Sequence, residues 1–327
     1  MSLPRIFVTR RISSIALQKL QHETDVDVWP EDGPPPHDVL VQKIAQDDGI
    51  LTLLTDPIDR EVIMAASDKL KIISQMAVGT DNIDVACATE RSIPVGHTPD
   101  ALTEACADFT WALMTALSRR VVESATEVSN GIWRPWGPDV LLGPDLYGAT
   151  LGIIGLGRIG MAVARRAAGF NMRVLYFSQH RKPDAETKFG LMYCELEDLL
   201  RQSDFVSLHT SLNEHTHHLI NKNNLAMMRS NAYLINIARG KVVDSEALTQ
   251  ALLNHKIAGA ALDVFDPEPI PEDHPLLQLK NVILTPHIAS ASIQARTKIA
   301  NMAVENILAA LHHQPIPYCF NPQVYKK

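Results

Sequence analysis

A chain of 327 residues with a formal charge of −7 predicts about two domains of ~100–200 residues each, and its acidity argues against a general nucleic-acid binder, which carries a basic surface. Hydrophobic residues make up 46% and charged residues 20%, the composition of a globular protein large enough to bury a core without disulfides or metals. No apolar run reaches the ~20 residues that span a bilayer. The start, Met1 to Val8, leads straight into a strand-like run without a signal-peptide core, so no membrane partner is expected. Cys87, Cys106, Cys194 and Cys319 are scattered with no CxxC pair, the usage of a reduced cytoplasmic protein. The histidines at 215, 217, 218, 312 and 313 have no carboxylate or thiol partner at ligand spacing, so no metal is expected.

Along the chain, short apolar runs of strand length stand at Arg5–Thr9, Gly49–Leu54 and Lys71–Met76, with helical stretches at Ser13–Leu20 and Asp59–Ala66 between them. Gly33-Pro34-Pro35-Pro36 reads as a surface loop. Thr98-Pro99-Asp100 looks like a helix start, followed by apolar positions at Leu102, Ala105, Phe109, Leu113 and Ala116 in three-to-four spacing. A second β-α-β series opens at Ala149–Ile154, with further strands expected at Arg173–Ser178, Asp204–His209, Ala232–Ile237, Ala258–Val264 and Asn281–Leu284. A last helix, about Ser290 to His312, is expected to return to the N-terminal domain. Alternating strands and helices favour parallel sheets covered on both faces. The expected fold class is α/β with two doubly wound parallel-sheet domains. A Rossmann cofactor domain at 100–290 is inserted into a flavodoxin-like substrate domain formed by 1–99 and 291–327.

The glycine turn Gly155-Leu156-Gly157-Arg158-Ile159-Gly160 follows a strand and opens a helix of small residues. A glycine triplet alone is a weak signal, but this context is the one a dinucleotide requires. The first glycine makes the turn, the second admits the pyrophosphate to the backbone, and the third lets helix and strand pack. The helix N-terminus offers free N–H groups to phosphate, and Arg158 can add a charge. Coenzymes without a 2′-phosphate are held by an acid about 20 residues on. Here the next strand ends in Phe177-Ser178-Gln179-His180-Arg181-Lys182 without one. Ser178 can donate a hydrogen bond and Arg181 can supply charge, so NADP(H) is favoured, with NAD(H) as the alternative.

Three further apolar runs end in Ala238-Arg239-Gly240, in Asp266-Pro267-Glu268-Pro269 and in Thr285-Pro286-His287. Taken singly, a charged residue after a strand is most often surface. Three on the carboxyl edge of one parallel sheet, where such folds bind ligands, make a set: a cation for a carboxylate, an imidazole for proton exchange near neutrality, and an acid beside it.

The whole chain resembles the D-isomer-specific 2-hydroxy-acid dehydrogenases. The matching segments are Ala77–Asp84, Gly155–Gly160, Ile235–Val243 and Leu284–Ala291, and the chain looks most like the glyoxylate/hydroxypyruvate reductases among them. The resemblance implies that Arg239 holds the substrate carboxylate and polarises the carbonyl, that His287 donates the proton, and that Glu268 pairs with His287. It further implies substrate contacts at Leu53, Val78 and Gly79, and cofactor contacts at Asp263, Thr103 and Ser290; Ile237 is a further candidate cofactor contact. Relatives are homodimers, and Trp133-Arg134-Pro135-Trp136 suits such an interface, so a homodimer is expected. Two departures stand out. NADP(H)-preferring reductases place an arginine directly after the serine matching Ser178, where this chain has Gln179. Phosphite-oxidising relatives carry a lysine where Val78 stands.

The expected activity is reduction of a small 2-keto acid, glyoxylate or hydroxypyruvate, to glycolate or D-glycerate. The alternatives are a dehydrogenase of another D-2-hydroxy acid such as D-lactate, and a cofactor-sensing protein like the corepressors that share this fold.

Overall fold

The structure, a computed structural model, describes residues 3–326. They divide into two compact units, one holding the chain up to Leu102 and from Ala291 onward, the other Thr103–Ser290.

The first unit alternates β1 (Arg5–Val8), α1 (Ser14–Gln21), β2 (Asp25–Val28), α2 (His37–Gln46), β3 (Gly49–Thr52), α3 (Arg60–Met64), β4 (Ile72–Gln75), α4 (Val85–Glu90) and β5 (Val95–Gly96). The strands form one parallel sheet in the order β2-β1-β3-β4-β5. Successive strand side chains point to opposite faces, which divides the apolar residues between two cores. Phe7, Ile50 and Ile73 pack with Leu40, Ile44, Val62 and Cys87 of α2, α3 and α4, while Ile6, Val8, Leu51 and Ile72 pack with Ala16 and Leu20 of α1. Side-chain caps start three of these helices: Ser13 accepts from the Ala16 N–H, Asp59 from Val62, and Asp84 from Cys87.

The second unit opens with α5 (Thr103–Ser118) and α6 (Val121–Ser129), then runs through β6 (Thr150–Ile154), α7 (Arg158–Ala167), β7 (Arg173–Phe177), α8 (Pro183–Phe189), β8 (Met192–Tyr193), α9 (Leu196–Gln202), β9 (Phe205–Leu208), α10 (Lys222–Met227), β10 (Tyr233–Asn236), α11 (Ser245–Leu253), β11 (Gly259–Leu262) and β12 (Val282–Leu284). All seven strands are parallel, in the order β12-β11-β10-β9-β6-β7-β8. The chain winds outward from β6 to β8, returns to the other side of β6 as β9, and winds outward again. The switch point therefore lies between β6 and β9, where doubly wound sheets open a crevice at their carboxyl edge. One face is covered by Leu199, Leu200, Leu225, Leu248 and Leu252 of α9, α10 and α11. On α5, Trp111 stacks on Phe170 at 4.6 Å between ring centres and donates to the Val163 carbonyl of α7 at 3.2 Å. Arg166 of α7 bonds Glu104 and Asp108 of α5.

The last helix, α12 (Ile293–Leu311), packs Ala300, Ala303, Val304 and Ile307 against α1 and the first sheet. The helix start expected at Thr98–Asp100 is corrected. Asp100 has φ +62, which a right-handed helix does not admit, and α5 begins at Thr103. α6 has no buried residue, and the arm beyond it leaves Trp133 and Trp136 at 78% and 91% exposure. No helix among the described residues is long and apolar enough to cross a membrane.

Candidate active site

The glycine turn joins β6 to α7 at the switch point. Gly155 has φ +96, and a side chain there would meet the His209–Thr210 backbone at 2.7 Å, so the β6 turn lies directly against the end of β9. Gly160 packs so closely that a Cβ would sit 2.2 Å from the Gly155 carbonyl oxygen. Gly157 is different: a Cβ there meets nothing within 4 Å. Two glycines are thus consumed by packing, while the third leaves its backbone open at the start of α7, where the N–H groups emerge. Leu156 and Gly160 are buried; Gly157 and Arg158 are exposed, and Gly155 and Ile159 are half-buried. This cradle fits a dinucleotide pyrophosphate.

Beyond β7, Ser178 is half-buried and its hydroxyl donates to the His180 carbonyl at 3.2 Å. The Arg181 guanidinium is engaged by its own loop. It grips both oxygens of Glu186 at 2.8 and 2.7 Å, and Tyr176 donates to the same carboxylate at 2.6 Å. Bonds from Arg181, then Tyr176, pull the Glu186 pKa from 4.5 to about 2.

β10, β11 and β12 are neighbours, so their carboxyl ends deliver three loops side by side. The first carries Arg239. Asn236, 1% exposed, closes it with an Asx turn, accepting from the Ala238 N–H at 3.0 Å and donating to the Arg239 carbonyl at 2.9 Å. Arg239 is half-buried and extended, and its Nη1 donates to the Ala238 carbonyl. At Gly240 a Cβ would fall 1.9 Å from the Phe265 carbonyl oxygen, so only glycine lets this turn lie against the next loop.

That next loop carries Glu268 between two cis peptide bonds, Asp266-Pro267 and Glu268-Pro269. One carboxylate oxygen accepts from the Phe265 N–H at 2.8 Å, and the other meets His287 Nδ1 at 2.9 Å. The side chains of His287 and Glu268 are 23% and 28% exposed. Burial pushes the Glu268 pKa up, but the bonds from His287 and Phe265 and the charges of His287 and Arg239 outweigh it and hold the carboxyl below its ordinary 4.5. With Nδ1 facing the carboxylate, Nε2 is the nitrogen left to exchange a proton with a ligand.

His287 has φ +54, a left-handed conformation that histidine tolerates better than most residues but that needs support. Asp263 supplies it. The His287 N–H donates to the Asp263 carbonyl at 2.9 Å. The fully buried Asp263 carboxylate accepts from Thr285 Oγ1 at 2.7 Å, the Ile288 N–H at 2.8 Å and the Ala289 N–H at 2.7 Å. The resemblance implies a cofactor contact at Asp263, and in the fold its carboxylate also binds the histidine loop; sequence reasoning did not find that second duty. It missed Asn236, Gly240 and Thr285. The Asx turn after a strand was a readable signal for Asn236; the other two depend on a neighbouring loop and left none.

The remaining candidates are placed as follows. Ile237 is buried after β10, Thr103 is the first residue of α5, and Ser290 is half-buried after the histidine loop. Leu53, Val78 and Gly79 are half-buried in the first unit, just past β3 and β4. Among the described residues no group of three histidine, cysteine or acidic side chains converges as a metal site.

Residues 111–289 match the NAD-binding domain of the D-isomer-specific 2-hydroxyacid dehydrogenases. The chain belongs to that family. It is 50% identical over 324 residues to the glyoxylate reductase of Korarchaeum cryptofilum, covering 99% of this chain and 97% of that protein. The crystal structure of the TT0316 protein from Thermus thermophilus superposes with a TM-score of 0.89 at 44% identity, covering 97% and 99% of the two chains. An NADPH-dependent glyoxylate/hydroxypyruvate reductase from Sinorhizobium meliloti, solved with NADP and malonate, superposes with a TM-score of 0.84 at 30% identity over 98% of each chain. As a 2-hydroxyacid dehydrogenase, this protein uses a nicotinamide cofactor.

Proposed function

We propose that the protein reduces glyoxylate, and hydroxypyruvate beside it, with Arg239 gripping the substrate carboxylate and polarising the keto group. The observation that carries this reading is the His287–Glu268 pair on the sheet edge that also bears Arg239 and the glycine turn. β10 stands two strands from β6, about 10 Å at ordinary strand spacing, a separation suited to a small acid beside a nicotinamide ring. A bound reduced nicotinamide supplies the hydride. His287 holds its proton at Nε2 toward the keto oxygen, and Glu268 stabilises the charged imidazole through Nδ1. Gly155–Gly160, Ile237, Asp263, Thr103 and Ser290 are the proposed cofactor contacts. Leu53, Val78 and Gly79 are proposed substrate contacts on the strength of the resemblance.

NADP(H) is the proposed preference, supported by Ser178 and the lack of an acid at the end of β7. The Arg181–Glu186 pairing weighs against it, since a 2′-phosphate would have to compete for that guanidinium. A homodimer is proposed from the exposed Trp133 and Trp136, and a cytoplasmic setting from the four free cysteines.

The test is steady-state turnover over a small panel of keto acids with NADPH and with NADH. Glyoxylate should be reduced, and His287→Ala should lose about 10²–10⁴-fold in kcat with cofactor affinity unchanged. Tight cofactor binding without turnover would instead support a sensor.

A further inference from the structure

Three consecutive carbonyls after β4 are held by side chains and backbone of the first unit. Ala77 O accepts from the Thr98 N–H at 2.9 Å. Val78 O lies 3.2 Å from His97 Nδ1. Gly79 O accepts from Gln75 Nε2 at 3.3 Å. In a planar trans peptide the carbonyl and the following N–H point in opposite directions. Fixing the first two carbonyls toward residues 97 and 98 therefore turns the Val78 and Gly79 N–H groups away from that segment, on a common side. Neither of these N–H groups donates a hydrogen bond among the described residues, although backbone donors that leave solvent are nearly always paired. Two N–H groups of half-buried residues turned to a common side are a receptor for one carboxylate.

The tethers are themselves braced. Gln75 is fully buried. Its Oε1 accepts from Thr52 Oγ1 at 2.7 Å, and its Nε2 also donates to Asn82 Oδ1 at 2.7 Å. Two oxygens face one end of this amide, which fixes the NH₂ there and leaves no donor unspent. The Asn82 amide in turn donates to the Leu53 and Asp56 carbonyls at 3.0 and 2.8 Å. The loop carrying Leu53 and the loop carrying Val78 are thus tied to one another. His97 is seated edge-on against Phe320, with ring centres 5.2 Å apart.

We propose that His97 and Gln75 are positioning residues, which aim the Val78 and Gly79 amides at the carboxylate of the keto acid by holding the carbonyls behind them. This rests on the glyoxylate-reductase reading above. In the full-length protein, His97→Leu removes the donor, while His97→Asn keeps a donor nitrogen at the place of Nδ1. Loss of one hydrogen bond of ordinary strength should raise the KM for glyoxylate about fivefold. kcat and the Kd for the nicotinamide cofactor should stay within about twofold, and His97→Asn should restore the wild-type KM. Hydrogen exchange without substrate should be faster at the Val78 and Gly79 amides in His97→Leu than in the wild type or His97→Asn. An unchanged KM and unchanged exchange in His97→Leu would sink the proposal, as would an equal defect in His97→Asn, which would mark a packing role. If the wild type turns over no keto acid, the functional reading fails and takes the carboxylate with it; exchange at the two amides still decides whether His97 orders them.

Discussion

At the scale of single residues, the site shows side chains whose duty is set by what else they hold. Arg181 is the clearest case. Sequence placed a cation where a 2′-phosphate would need one, and could not show that Glu186 had already taken it. The pair is separated by five positions and joins a loop to a helix, so the i,i+4 rule that makes helical ion pairs readable does not reach it. Glu186→Gln, which releases the guanidinium, should lower the KM for NADPH and leave that for NADH unchanged. Arg181→Ala should raise the KM for NADPH by roughly tenfold, the size of a charged hydrogen bond. Equal responses of the two coenzymes to Arg181→Ala would remove that residue from 2′-phosphate recognition. The placement of Arg239, Glu268 and His287 after strands was legible because an apolar run that stops at a charge marks a sheet edge. The anchoring of the histidine loop by Asp263 was not, because its carboxylate spans two neighbouring strands.

At the scale of elements, strands built on an unbroken apolar run were readable, down to the three residues of β12, and β2, β5 and β8 were not. β2 alternates acidic and apolar residues and lies half-exposed, while β5 and β8 have two residues each and exist only by pairing with β4 and β7. The β6–α7 turn gives a clean pair of outcomes. Gly157→Ala should leave the melting temperature unchanged, because its Cβ meets open space, yet weaken cofactor binding by about tenfold or more by blocking close approach. Gly160→Ala should lower the melting temperature as well, since its Cβ collides with a carbonyl. Parallel behaviour of the two variants in both measurements would contradict the division of roles. At the end of β9, His209 Nε2 bonds Ser207 Oγ at 2.8 Å, and its Nδ1 is buried without a protein partner among the described residues. Burial lowers the His209 pKa from 6.5 to about 3. The unfolded chain therefore binds the extra proton between these values, and stability falls as pH drops from 6.5 toward 3 by up to ~1.4 kcal/mol per unit. Urea midpoints at pH 7 and pH 5 should differ less in His209→Asn than in the wild type; identical differences would show that the ring does not titrate on unfolding.

At the scale of the whole molecule, the two sheets and the return of α12 to the first one follow from where the β-α-β series restarts in the chain. The arm at 130–149 gave no periodic pattern, because most of its large residues, Trp133, Trp136, Leu142 and Tyr147 among them, are exposed, and Leu146 is the exception that is buried. Two large aromatics exposed this far within one short segment are the kind of residues enriched at protein interfaces. Gel filtration should give twice the mass of the chain, and Trp133→Ser with Trp136→Ser should shift it toward the monomer. A wild type eluting at monomer mass would count against the dimer.

The two anchors of the histidine loop also divide the excursion between β11 and β12 into parts with different freedom to change. Asp263 grips residues 285–289 directly, and Glu268 is held within three residues of Phe265. Neither anchor involves Glu272 and Asp273, which lie in the chain between Glu268 and the histidine loop and are exposed. Added length at that point lengthens an exposed stretch that neither anchor uses, so this is where the scaffold can acquire a new surface loop without relocating His287, the proposed proton donor.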